Sequence, residues 1–206
     1  MGSEMCIRDR AAYFAGSSYT KNSDLLQEID YVLKNLSSAV NQTAYFSVLS
    51  GGEVLYLLEE RVPTPITIQA KRGYKYPAYA TGIGKALLSG KTEKDIKTLY
   101  PEGLYKLTEY TIDDFDTLFS QMEETQKSGY SFEKEESNKD VQCIAVPVKY
   151  KENVIAGMSV AVPVFYYSEE FEKKAMEELK KARQHIEKLI QDNTREWVYS
   201  PLETEA

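Results

Sequence analysis

The sequence predicts an α+β fold: a mostly antiparallel six-stranded sheet with flanking helices. Three observations carry that prediction. Apolar residues at helical spacing open and close the chain. They are Leu25, Ile29, Val32, Leu33 and Leu36 at one end, and Phe171, Ala175, Leu179, Ala182, Ile186, Leu189 and Ile190 at the other. Between them lie segments of two-residue period joined by tight turns, Ser50-Gly51-Gly52 and Lys151-Glu152-Asn153, which pair neighbouring strands antiparallel. The length of 206 residues, 42% of them hydrophobic, suits one good core in a single domain.

The first helix starts near residue 22 and runs to about 38, with Asp24 and Gln27 spaced as a capping box. Residues 43–49 read as a strand and 53–59 as its hairpin partner. Pro63 and Pro65 bracket a bend, and Ile66, Ile68 and Ala70 then alternate with Thr67 and Gln69 as a third strand. Residues 71–77 read as a loop holding Gly73, Tyr74 and Tyr76. A short helix entered through Gly82 and Gly84 closes at Gly90, and a second spans 92–99 before Pro101. Thr111 is placed as N-cap of a third, with Asp113 and Asp114 in its first turn. Its apolar stripe is Phe115, Leu118, Phe119 and Met122, and Gly129 ends it. Strands follow over 130–135, 142–150 and 154–162, and the last helix starts at Ser168. Residues 22–195 form the domain and 196–206 a tail. Residues 1–21 read as a non-native leader or disordered segment, because MGSEMCIRDR has neither a signal-peptide core nor an amphipathic pattern.

Composition excludes several functions. Apolar runs of only a few residues exclude a membrane-spanning helix. With 25 Lys+Arg against 32 Asp+Glu, the net charge of −7 argues against a general nucleic-acid binder. Two cysteines make no disulfide scaffold and suit a reducing cytoplasm. One histidine, His185, and one plausible cysteine, Cys143, assemble neither a metal-ligand set nor a Cys–His dyad, so neither metal nor other cofactor is expected.

Gly82-Ile83-Gly84-Lys85 invites a nucleotide-binding reading, which fails. A Walker loop needs Gly at 79 and Ser or Thr at 86, where Tyr79 and Ala86 stand; a dinucleotide loop needs Gly at 87, where Leu87 stands. The glycines still let a backbone approach a ligand closely, and free amides at a helix start attract a carboxylate. They would equally permit tight packing of helix on sheet. In the late hairpin one face carries Ile144, Val146, Val148, Val154, Met158, Val160 and Val162, with Ala156 between, and reads as core. The other face, Cys143, Ala145, Gly157, Ser159 and Ala161, is uniformly small. Such a face leaves room for a closely packed helix or a ligand pocket, to which Cys143 and Ser159 would add weak polarity. Cys143 alone would also serve as a small buried hydrophobe. Glu133, Glu135 and Glu136 form an acidic run, either solvated at a strand end or available for acid/base work. Tyr74, Tyr76 and Tyr79 cluster before the glycine helix, as a pocket rim or as core.

These residues also carry a recognisable pattern. Residues 76–88, Tyr-Pro-Ala-Tyr-Ala-Thr-Gly-Ile-Gly-Lys-Ala-Leu-Leu, resemble the P-x-x-A-T/S-x-x-G-K-A-x-L segment of IclR-type transcriptional regulators. Gly129-Tyr130, then Glu136, then Cys143-Ile144-Ala145-Val146-Pro147-Val148 resemble that family's second segment. The hairpin through Ser159 and the long last helix follow in the family's order, so the likeness covers about 23–193. The resemblance implies the effector-binding domain of such a regulator, with a curved, GAF-like antiparallel sheet. It implies a small-molecule effector, often a carboxylate or aromatic acid, and a homodimer or homotetramer. It places ligand contacts at the backbone of Gly82 and Ile83, at Glu133, at Cys143, Ser159 and Ala161, and at an apolar wall of Ile66 and Ile68. Tyr79 joins the expected ligand-binding set from the tyrosine cluster, and no catalytic residue is expected.

Two residues depart from the pattern. Asp140 stands where the family usually has Gly, and Ala161 where some relatives have Ser, which makes the pocket less polar. The family's winged helix-turn-helix precedes the linker helix, and residues 1–21 show no such pattern. DNA is therefore expected as a partner only through a domain missing here. The alternatives are a stand-alone sensor, a dimerisation module without ligand, and an acid/base enzyme using Glu133.

Overall fold

The computed structural model describes residues 23–63 and 75–192. Its centre is a six-stranded sheet of order β3-β2-β1-β6-β5-β4, with every neighbouring pair antiparallel. The strands are β1 (Thr43–Ser50), β2 (Glu53–Glu60), β3 (Lys75–Pro77), β4 (Ser131–Lys134), β5 (Val141–Tyr150) and β6 (Asn153–Pro163). The helices are α1 (Ser23–Val40), α2 (Gly82–Leu88), α3 (Glu93–Leu99), α4 (Phe115–Ser128) and α5 (Glu169–Asp192). This is the α+β architecture expected from the sequence.

Each sheet face has its own core. On one, α1 buries Leu25, Ile29, Leu33 and Leu36, and α5 buries Ala175, Leu179, Ile186 and Ile190. Both stripes recur every three to four residues, so each helix offers one apolar side, and the two helices lie against each other. They cover Ala44, Phe46 and Val48 of β1, Ile144, Val146 and Val148 of β5, and Ala156, Met158 and Val160 of β6. On the other face, α2 supplies Ile83, Ala86, Leu87 and Leu88, which meet Tyr45, Val54, Ala145 and Ala161 of the sheet and Leu118 and Met122 of α4. Among the described residues no helix is long and apolar enough to cross a membrane.

The small-residue face receives α2. A Cβ on Gly157 would stand 3.0 Å from Ile83 Cγ1, and one on Gly82 would stand 3.1 Å from Cys143 Cβ. Inside the helix, a Cβ on Gly84 would fall 2.1 Å from the Ala78 carbonyl oxygen. The glycines thus serve close packing, and the cleft described below lies at the edge of this contact.

Four local expectations are corrected. Lys75–Pro77, expected as loop, is β3, with Glu53 opposite Pro77 and Val54 opposite Tyr76; a proline is tolerated there because β3 is an edge strand. Thr111 is not a helix cap. The cap of α4 is Asp114, whose carboxylate accepts the Thr117 amide at 2.8 Å. Asp24 lies within α1, after Ser23, and so does not stand at an N-cap. Val154 leaves the face of Met158, because a register shift between Val148 and Lys149 turns it toward α2. The predicted strand at Ile66, Ile68 and Ala70, Tyr74, and the leader and tail boundaries lie outside the described residues.

Gly84→Ala tests the packing of α2. The added methyl has no flexible neighbour to displace, so we expect a loss of at least ~2 kcal/mol in urea unfolding.

Candidate functional site

The start of α2 is set by Thr81, whose hydroxyl accepts the Gly84 amide at 3.0 Å. Beside it opens a small cleft with a cavity volume of about 30 Å³. β1, β2 and β3 each contribute one tyrosine, Tyr45, Tyr56 and Tyr76. The helix start contributes Thr81, Gly82 and Ile83, and the β5–β6 ladder contributes Val141, Cys143, Ser159 and Ala161. Ser137 and Asn138, in the turn after β4, form its lip. Register explains the grouping: Tyr45 is paired with Ser159, and Cys143 with Ala161.

Five of the residues picked from sequence are therefore brought together here: Gly82, Ile83, Cys143, Ser159 and Ala161. Glu133 lies immediately behind the wall. It is the cross-strand partner of Cys143, and its Cβ is 3.5 Å from where a Gly82 Cβ would stand. Tyr79 is elsewhere, fully buried in the core, with its hydroxyl donating to the Tyr105 carbonyl at 2.8 Å and accepting the Tyr105 amide at 3.0 Å. Tyr76, not Tyr79, supplies the rim. Ile66 and Ile68 lie outside the described residues. Tyr45 and Tyr56 were missed. The two-residue alternation of β1 puts Tyr45 on the face opposite Ala44 and Phe46, a signal that was available.

Two of the three acids in the run are buried, while Glu135 stays partly exposed. Glu133 is 1% exposed and Glu136 7%. Glu133 Oε1 accepts the amides of Glu136 at 2.6 Å and Ser137 at 3.1 Å, while Oε2 has no partner. Burial pushes the Glu133 carboxyl up to about 7, against the lowering pull of the Ser137 amide. Glu136 meets a buried cation: Lys85 Nζ lies 2.5 Å from its Oε1 and also donates to Gln121 Oε1 at 2.8 Å and the Phe132 carbonyl at 3.3 Å. Burial raises Glu136 as well, with Lys85 opposing. Lys85 is thus a structural cation, which explains why no phosphate motif surrounds it.

Nucleophilic chemistry at Cys143 has no support from its neighbours. Burial, and then the Glu133 charge, push its thiol well above the ordinary range. His185 is exposed on α5, which packs on the opposite sheet face. Among the described residues no cluster of three or more His, Cys, Asp or Glu could hold a metal ion.

Known proteins share this architecture. The family model described as "Bacterial transcriptional regulator IclR C-terminal" matches residues 17–188. The chain belongs to this family, the effector-binding C-terminal domains of IclR-type transcriptional regulators. It is 29% identical over 157 residues to the HTH-type transcriptional regulator KdgR of Escherichia coli K12, covering 75% of this chain and 60% of that protein. The solved C-terminal domain of E. coli KdgR matches at a TM-score of 0.70 with 27% identity, over 81% of this chain and 98% of that one. The inducer-binding domain of Acinetobacter PobR, solved as a double mutant with 3-hydroxybenzoic acid, matches at 0.72 and 24% identity, over 78% of this chain and 96% of that one. That last likeness concerns the fold. The chain spans about half to three-fifths of the length of the curated relatives it matches.

Two predictions follow from the buried charges. Lys85→Met leaves Glu136 buried without its cation and should cost ~3–5 kcal/mol in chemical denaturation, much of it recovered in Lys85→Met/Glu136→Leu. Glu133→Gln isolates the second carboxyl. Its folded value of about 7 exceeds the ordinary 4.5, so the folded state binds the proton more tightly. The stability this contributes is full below pH 4.5 and lost as pH rises through 7. Unfolding midpoints measured from pH 5 to 8 should therefore favour Glu133→Gln progressively, by at most ~3 kcal/mol.

Proposed function

We propose that this domain senses a small organic acid in the cleft beside α2 and converts its binding into a change of conformation or assembly. The observation that carries this reading is the cleft itself. Small side chains, three tyrosines and a glycine helix start converge on one opening at the edge of an otherwise filled core. The amides of Gly82 and Ile83, in the first turn of α2 and without an acceptor inside the helix, suit a carboxylate group, and the tyrosines and Val141 suit an apolar or aromatic body. The PobR domain, of similar fold, was solved with an aromatic acid. In the full regulator a helix-turn-helix domain would read this state, through a homodimer or homotetramer in the cytoplasm. The domain would turn nothing over: the relatives it matches are transcriptional regulators, and the Cys143 thiol is held neutral by burial.

A thermal-shift screen against small aliphatic and aromatic carboxylates tests this. A ligand at about 100 times its dissociation constant adds ~2.7 kcal/mol of stability. The shift should vanish in Ser159→Trp, which fills the cleft floor, and in Asn138→Trp, which blocks the lip from an exposed position. A shift retained in both folded variants would place the ligand elsewhere.

A further inference from the structure

The charge inventory around the cleft narrows the class of acid. This step rests on the reading of the cleft as an effector site. We infer that the cleft takes a monoanionic acid together with one proton, which Glu133 holds, and that it therefore discriminates against dianions.

The cleft offers an anion neutral groups. None of its twelve lining side chains among the described residues is cationic. The nearest buried cation, Lys85, is committed to Glu136, Gln121 and the Phe132 carbonyl. Behind the wall stands Glu133, 1% exposed, with Oε2 facing no donor stronger than the weak Cys143 thiol. A buried carboxylate oxygen without a donor is costly when charged; the same oxygen carrying a proton becomes a donor.

The groups around Glu133 do not change this balance. Cys143 from β5 and Tyr56 from β2 are both held neutral, the first two causes for the thiol being burial and Glu133 itself. Glu136 from the lip adds a repulsive charge, and Lys85 from α2 is spent on it. An acid entering the cleft brings a carboxylate toward this group. Two like charges in one water-poor site do not both ionise, so the proton stays between them. Burial, with the Glu136 charge adding to it and hydrogen bonds from Ser137 and Cys143 opposing, raises the Glu133 carboxyl to about 7, so the uptake demands little. A second negative charge on the ligand would have no proton and, among the described residues, no free buried cation to answer it.

Calorimetry on the purified chain tests the inference with benzoate, 3-hydroxybenzoate, lactate and pyruvate as monoanions and succinate and phthalate as dianions. Titrations at pH 8 in two buffers of different ionisation enthalpy count the protons. Expected is uptake of about one proton per monoanion bound, affinity falling toward tenfold per pH unit above pH 8, and dianions weaker by tenfold or more. In Glu133→Gln the uptake should disappear, the pH dependence flatten and the dianion penalty shrink. Should that variant not fold, the proton count and the dianion ratio of the native chain decide alone. Binding of monoanions without proton uptake, or dianions bound as tightly, overturns the inference and leaves the acid-sensing reading intact. No binding by any of the six between pH 5.5 and 8.5 overturns the acid-sensing reading, and this inference with it.

Discussion

One buried ammonium organises the functional half of the molecule. Lys85 projects from α2 with 1% exposure and joins α2 to α4 through Gln121, to β4 through the Phe132 carbonyl, and to the cleft lip through Glu136. A buried ion pair is weak evidence for net stability, since desolvation offsets most of the attraction. Its value here is geometric. Three segments distant in sequence, at residues 85, 121 and 132–136, share one charge, and any other arrangement would leave that charge unanswered.

The lip needs such a clamp. Glu135 and Asp140, both non-glycine, adopt left-handed φ values of 60° and 62°. For Glu135 this costs on the order of 1–2 kcal/mol and for Asp140 less, since aspartate enters the region more readily, and surrounding bonds hold the turn. Glu136 is held at three points. Its side chain meets Lys85, its amide donates to Glu133, and its carbonyl accepts the Thr111 hydroxyl at 2.5 Å. The Thr108 hydroxyl donates to the Glu135 carbonyl at 2.6 Å. The two carboxyls three residues apart thus have different work. Glu136 answers a cation and anchors the lip; Glu133 organises backbone amides behind the cleft wall.

Much of this was legible in the sequence, for reasons that differ by element. The long stripes of α1 and α5 repeat often enough to fix helix, face and length. The glycine hairpin between β1 and β2 fixes pairing and register. The alternation around Cys143 and Ser159 showed a face of small residues, and both uses weighed for it occur: α2 packs on it, and the cleft opens at its edge. What failed was non-local. Thr111 has the chemistry of a cap, and only the fold reveals that its hydroxyl is claimed by the lip. A bulge at Val148/Lys149 reverses Val154, which no periodicity can announce. Lys85 reads only as the end of a failed phosphate motif, and Glu136 only as one of an acidic run, because their partnership crosses 51 residues.

The placement of the cleft bears on how occupancy could be transmitted. Its walls come from the early strands, from α2 and from the late hairpin, so a bound molecule would touch parts of the chain that otherwise meet mainly through the sheet. Its lip is tied by Thr108 and Thr111 to the segment before α4, where Tyr105, Leu107 and Tyr110 are exposed. A ligand shifts such a system only by the difference in its affinity for two arrangements. The lip is where that difference can arise: its strained turn is held by a few directed bonds, while the cores on both sheet faces are filled. On the proposed reading, a ligand contacting Ser137 and Asn138 acts on the one wall of the cleft that polar clamps rather than packing keep in place, and the exposed segment bonded to that wall is where its effect would first reach the surface.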